Sequence, residues 1–174
     1  MLKLLFATVV AWMSLGATEG KPMDYTVEKQ EKRFVIGISV KTSNENFHRE
    51  GAPLWEKFYR ENIAEKIPNR INQNNVGVYT DYEGDYTKPY TYIVGCEVSS
   101  LDSIPEGMKG VEMSASPYAI YTAQGEFPQS MLQTWQAIWK SPMKRAYATD
   151  IEIYPADFNP QTKPEIKIYI GIDE

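Results

Sequence analysis

One plan of apolar and polar segments is written twice along this chain, and that repeat restricts the fold more than any other feature. The run FVIGISV (34–40) reads as a central strand, preceded between Lys21 and Lys32 by a polar stretch with a short alternating piece. A helix follows in LWEKFYRENIAEKI: Leu54, Phe58 and Ile63 form an apolar stripe with Trp55 and Tyr59 beside it, Pro53 lies near the start and Pro68 stops it. GVYT (77–80) and YTYIVGCEV (90–98) supply two more strands. After the connector SSLDSIPEGMKG the order restarts, with VEMSA and YAIYTA (118–123) as strands, FPQSMLQTWQAIWKS as a helix opening at Pro128, and DIEIY and EIKIYIGI as strands.

Aligned on this plan, Phe34 falls on Tyr118, Trp55 on Trp135, Tyr79 on Tyr154 and Gly95 on Gly171. The expected fold is α+β, two strand-strand-helix-strand-strand units (about 23–98 and 109–174) packed around a pseudo-two-fold axis. A cleft on that axis is lined by equivalent positions of both halves, so one half can place a charge where the other is neutral.

Composition then narrows what such a cleft can bind. The net charge is -5 with no Lys/Arg cluster, which opposes a phosphate backbone and favours a neutral or cationic small molecule over direct nucleic-acid binding. Cys96 and His48 are the only residues of their kinds, which removes the raw material for Cys- or His-based metal sites and for a Ser-His-Asp triad. No metal and no cofactor is expected; nucleotide-binding, zinc-protease and EF-hand motifs are absent. Twelve Tyr, four Trp and six Phe exceed ordinary packing needs, so part of the surplus is free to line a site.

Residues 1–22 begin with one Lys, a hydrophobic run from Leu4 to Met13 and the small-residue stretch Ser14-Leu15-Gly16. That run is too short for a stable transmembrane segment and reads as a cleaved export signal, placing the protein outside the cytoplasm, or alternatively as an N-terminal extension of a cytoplasmic protein, with Met23 opening the domain at 23–174.

The candidate site lies in DIEIY. Alternation puts Ile151 and Ile153 on one face and Asp150, Glu152 and Tyr154 on the other, and the counterpart strand places Gly77 and Tyr79 where Glu152 and Tyr154 stand. Three readings of Glu152 stay open: a solvated or structurally hydrogen-bonded strand residue, an acid that binds a cationic ligand, or a general acid or base beside a Tyr hydroxyl. Trp55 and Trp135 are equally readable as core and as cleft wall, and the pattern does not orient Tyr79 or Tyr118. Tyr82, Tyr86, Tyr90 and Tyr92 read mainly as hairpin pairs, with Tyr86 or Tyr90 as an alternative rim.

The runs APLWEKFYRENIAEKIPNRI, GVYTDYEGDYTKPYTYIVGCEV, LDSIPEGMKG, YAIYTAQGEFPQSMLQTWQAIWKS and DIEIYP resemble the gyrase-inhibitor-like small-molecule-binding family. That family is similar to the effector-binding domains of bacterial multidrug-responsive AraC- and MerR-type transcription activators. The resemblance implies an antiparallel sheet and a central cleft for bulky, cationic aromatic compounds. It puts the cation-holding glutamate on Glu152 and makes Trp55, Tyr79, Tyr118 and Trp135 wall candidates. Some stand-alone relatives are similar to hydrolases of strained-ring compounds, which makes Glu152 with Tyr154 or Tyr118 the catalytic alternative. A protein-interaction module is the third reading.

Overall fold

The computed structural model describes residues 23–173, and the leader reading for residues 1–22 lies outside them. In chain order the elements are β1 (Thr26–Gln30), β2 (Arg33–Thr42), α1 (Phe47–Glu50), α2 (Ala52–Arg60), α3 (Ile63–Lys66), β3 (Asn75–Thr80), β4 (Tyr90–Val98), β5 (Lys109–Met113), β6 (Ser116–Gln124), α4 (Gln129–Lys140), β7 (Thr149–Tyr154) and β8 (Glu165–Gly171). No helix among the described residues is long and apolar enough to cross a membrane.

All eight strands form one antiparallel sheet in the order β1-β6-β8-β7-β3-β4-β2-β5. Exchanging the halves, β1 for β5, β2 for β6, β3 for β7 and β4 for β8, reverses this order onto itself. The pseudo-two-fold axis therefore passes between β3 and β7. The first strand of each half pairs with the second strand of the other, so the halves interlock at both sheet edges.

The helices cover one face. In α4, Met131, Thr134, Trp135 and Ile138 recur at helical spacing and are buried, while α2 buries Ala52, Trp55 and Phe58. They meet Ile36, Ile38, Tyr92, Val94, Cys96, Tyr121 and Ile168 in the main core. Burial pushes the Cys96 thiol up to about 11, as expected of a small packed hydrophobe. The opposite face holds Val35, Val76, Val78, Ile93, Met113, Tyr118 and Ile151, a buried cluster to which no helix among the described residues contributes. The sheet curls over it: Arg33 of the first half places its guanidinium 4.9 Å from the Tyr169 ring centre in the second, and also pairs with Glu97 at 3.3 Å.

Two local expectations need correction. The stretch read as one helix over 54–67 is broken by Asn62, whose φ of 51° lies in the left-handed region that Asn tolerates; α3 restarts beyond it and still buries Ile63. The alignment of Phe34 with Tyr118 is one residue out of phase. Phe34 packs on the helix side with Ile36 and Ile38, whereas Tyr118 packs on the opposite face with Val35.

Candidate functional site

The axis sets the site. In the β3–β7 ladder Gly77 is paired directly with Glu152, Tyr79 with Asp150 and Asn75 with Tyr154. Gly77 and Glu152 are thus equivalent residues facing each other across the axis, and Tyr79 and Tyr154 are an equivalent pair on either side. Strand alternation sends all four toward the helices.

At this point the two halves differ. The Glu152 carboxylate, 2% exposed, points into the space that glycine leaves open. A Cβ at Gly77 would stand 2.5 Å from the Tyr92 hydroxyl and 2.9 Å from Glu152 Oε2, so only glycine admits both groups. Oε1 accepts from Tyr79 Oη at 2.9 Å and from Trp135 Nε1 at 2.6 Å, and Oε2 accepts from Tyr154 Oη at 2.9 Å. Tyr92 accepts from Trp55 Nε1 at 2.8 Å, which leaves its own proton for the carboxylate. Both helix tryptophans therefore aim their indole N–H at the axis, one directly at Glu152 and one through Tyr92.

Every one of these donors is neutral. The nearby cation, Arg145, is engaged by Asp150 at 2.6 Å, and Glu152 forms no ion pair among the described residues. Burial raises the Glu152 carboxyl above its ordinary value, an effect that the hydrogen bonds from Trp135, Tyr79, Tyr154 and Tyr92 oppose. Burial, and next the negative charge of Glu152, hold the hydroxyls of Tyr79, Tyr92 and Tyr154 well above the usual tyrosine range. They are therefore hydrogen-bond donors at neutral pH rather than bases.

Glu152 forms the floor of a cleft of ≈ 230 Å³ between α1, α2, α4 and the sheet. Its walls are Phe47, Tyr79, Tyr82, Tyr90, Tyr92, Trp135 and Tyr154 with Met131. At the rim Tyr86 stacks on Trp139, ring centres 5.9 Å apart, and the exposed His48 projects from α1.

Of the residues named from sequence, the structure brings Glu152, Tyr154, Tyr79 and Trp135 into direct contact and joins Trp55 to them through Tyr92 and by its ring packing on Tyr154, centres 4.7 Å apart. Two depart from the expectation: Trp55 bonds the wall residue Tyr92 but does not itself line the cleft, and Tyr118 stands away from it, both as wall and as catalytic residue. In β6 alternation turns Ala119, Tyr121 and Ala123 toward the helices, which sends Tyr118 to the far face against Tyr169, ring centres 6.5 Å apart. Tyr90 and Tyr92, read mainly as hairpin pairs, do pack across the strands, Tyr92 facing Tyr79 with ring centres 4.9 Å apart, and are cleft walls as well. A signal was available, since Tyr90, Tyr92, Val94 and Cys96 alternate onto one face of β4. Arg145 was missed as well. It stands five residues before Asp150 as Arg70 stands before Asn75, and the two arginines form matching isolated bridges, to Ile172 and to Val98.

A profile of integron-associated effector binding proteins matches residues 26–172. The integron cassette protein from the mobile metagenome of Vibrio cholerae is 28% identical, with a TM-score of 0.67 over 86% of this chain and 95% of that one. SAV2435, whose structure is of a complex with tetraphenylphosphonium, shares the fold at 15% identity and a TM-score of 0.69, covering 87% of this chain and 94% of its own. Bacillus subtilis YobU is 26% identical over 148 residues, 81% of this chain and 92% of the relative. With nearly the whole described region matched, this chain belongs to the family of integron-associated effector binding proteins.

Proposed function

We propose that the protein is a binder of bulky aromatic cations, held with the positive centre over Glu152 and the rings against the cleft walls. The observation that carries this is the floor itself: a carboxylate 2% exposed, hydrogen-bonded only by neutral groups and without an ion-pair partner among the described residues. An isolated buried charge is costly, and a cationic ligand supplies the missing countercharge at a place where water screens it little. Aromatic faces attract a delocalised cation by roughly 0.5–1 kcal/mol each when exposed and about 2 kcal/mol when desolvated, and Tyr79, Tyr90, Tyr154 and Trp135 line the cleft around the acid. The tetraphenylphosphonium complex of SAV2435, a protein of the same fold, supports the same ligand class.

Binding and not turnover is the role this arrangement serves best. Each Glu152 oxygen is already committed to hydrogen bonds, and the adjoining tyrosines are held protonated.

A charge-matched pair of probes tests the proposal. Tetraphenylphosphonium and tetraphenylborate have nearly the same shape and opposite charge. The cation is expected to bind at least 100-fold more tightly than the anion, about 2.7 kcal/mol. Equal affinities would mean that the cleft selects only for hydrophobic bulk and that Glu152 does not act as the counterion.

A further inference from the structure

The Glu152 carboxylate is the charged acceptor of the cleft, and its capacity is full. An ionised carboxylate offers roughly four lone-pair directions, two on each oxygen. Trp135 Nε1 and Tyr79 Oη occupy those of Oε1 at 2.6 and 2.9 Å, and Tyr154 Oη takes one on Oε2 at 2.9 Å. Tyr92 supplies the fourth bond, its hydroxyl sharing with Oε2 the space that Gly77 leaves open. All four donors are buried, and ring packing holds their direction: Tyr79 lies against Trp135 and against Tyr92 with centres 4.9 Å apart, and Tyr154 against Phe158 at 5.2 Å. The second acid of β7 is no substitute. Asp150 lies outside the cleft lining, and its oxygens accept from Arg145, Tyr82 and the Gly171 N–H. On the walls, Asn44 Oδ1 already accepts from Tyr90, Arg145 has no acceptor atom, and His48 stands exposed at the rim.

A protonated amine brought to this floor meets negative charge without a free charged acceptor. Its N–H groups exchange water for neutral phenol oxygens, or they displace a buried indole or phenol donor and strand it; both are losses. A cation with no N–H group has no such requirement. It feels the carboxylate's charge through a poorly screened medium, and its diffuse charge suits the ring faces. We infer that the cleft selects permanent cations without N–H groups, such as quaternary ammonium, N-alkylated heteroaromatic or phosphonium compounds, over protonated amines of similar bulk, and that Tyr79 and Tyr154 set this selectivity by capping the acid. This rests on the cation-binding reading above and narrows its ligand class.

The test compares trimethyl(3,3-diphenylpropyl)ammonium with dimethyl(3,3-diphenylpropyl)ammonium, which differ by a methyl in place of one N–H and are both cationic at neutral pH. The added methyl is worth about fourfold through hydrophobicity alone. In the wild type the quaternary compound is expected to bind tenfold or more tightly than the amine, and a smaller ratio overturns the selectivity. Tyr154→Phe and Tyr79→Phe each free one lone pair of the acid, with folding confirmed by thermal melts. The amine then gains a charged acceptor, and the ratio is expected to fall threefold or more in one variant or both. A ratio that falls in neither overturns the capping role; a rise would mean that the amine had been bonding the tyrosine oxygens. If one variant does not fold, the other decides, and if neither folds, the wild-type ratio does. Should neither compound bind the wild type, or both bind Glu152→Gln as tightly, the cation-binding reading fails and the selectivity with it. A small wild-type ratio with both compounds weakened in Glu152→Gln removes the selectivity alone.

Discussion

Alanine at Gly95 is expected to cost the folded chain about 3 kcal/mol, the upper end of what overpacking usually takes. Gly95 of β4 pairs in register with Gly37 of β2, and the strands touch there without side chains between them. A Cβ at Gly95 would stand 2.1 Å from the Ile36 carbonyl oxygen, and one at Gly37 would stand 2.2 Å from that of Val94. Neither obstacle is the movable end of a side chain, so relief requires β2 and β4 to part. Those strands carry Ile36, Ile38, Tyr92 and Val94 of the main core and Val35 and Ile93 of the second, and the disturbance reaches both faces. Urea denaturation of Gly95→Ala measures the loss, and a midpoint within error of wild type would show that the close approach is not structural.

Glu152→Gln is expected to act in the other direction on the unliganded protein, raising its melting temperature at neutral pH. The amide keeps an oxygen for Tyr79 and Trp135, and its nitrogen can donate to the hydroxyl of Tyr154, while the buried charge disappears. In a chain of this size about 1 kcal/mol moves the melting temperature by roughly 2–4 °C, so a gain of several degrees is expected. The pH dependence follows from the raised carboxyl. In the interval between the unfolded glutamate value and the raised folded one, the native state binds more protons than the unfolded state, so stability falls as pH rises. The contribution is fully present below the unfolded value and lost once pH passes the folded one. Cation affinity runs oppositely and rises through the same interval as Glu152 ionises. In Glu152→Gln both dependences on this group vanish; a variant that melts lower than wild type at every pH would show that the carboxylate is a structural asset and not a stored cost.

The repeat makes much of this site legible in the sequence. An offset of 75 residues carries Gly77 onto Glu152 and Tyr79 onto Tyr154, and period-two alternation placed acid and tyrosines on one face. The paired tryptophans were legible in the same way, one per helix, although their direction was not. Tyr118 was misassigned because the curled sheet is buried on both faces. YAIYTA has tyrosines at 118 and 121 that point opposite ways, and hydrophobicity alone does not separate a helix-facing position from one inside the curl. Tyr92 was undervalued for a different reason. Its part depends on the vacancy at Gly77 in the neighbouring strand and on Trp55 from a distant helix, and neither relation is local in sequence. The break at Asn62 is a single left-handed residue inside a pattern that otherwise reads as continuous helix.

The central claim is that Glu152, buried and without an ion-pair partner among the described residues, is the group that holds a cation. Calorimetric titration of tetraphenylphosphonium into the wild-type protein and into Glu152→Gln tests it most directly, at a pH where the wild-type acid is ionised and with both folds verified by their melts. Affinity is expected to drop tenfold or more in the variant, at least about 1.4 kcal/mol. Equal affinity in the two proteins would contradict the claim and leave the carboxylate as a hydrogen-bond hub for Tyr79, Tyr154 and Trp135.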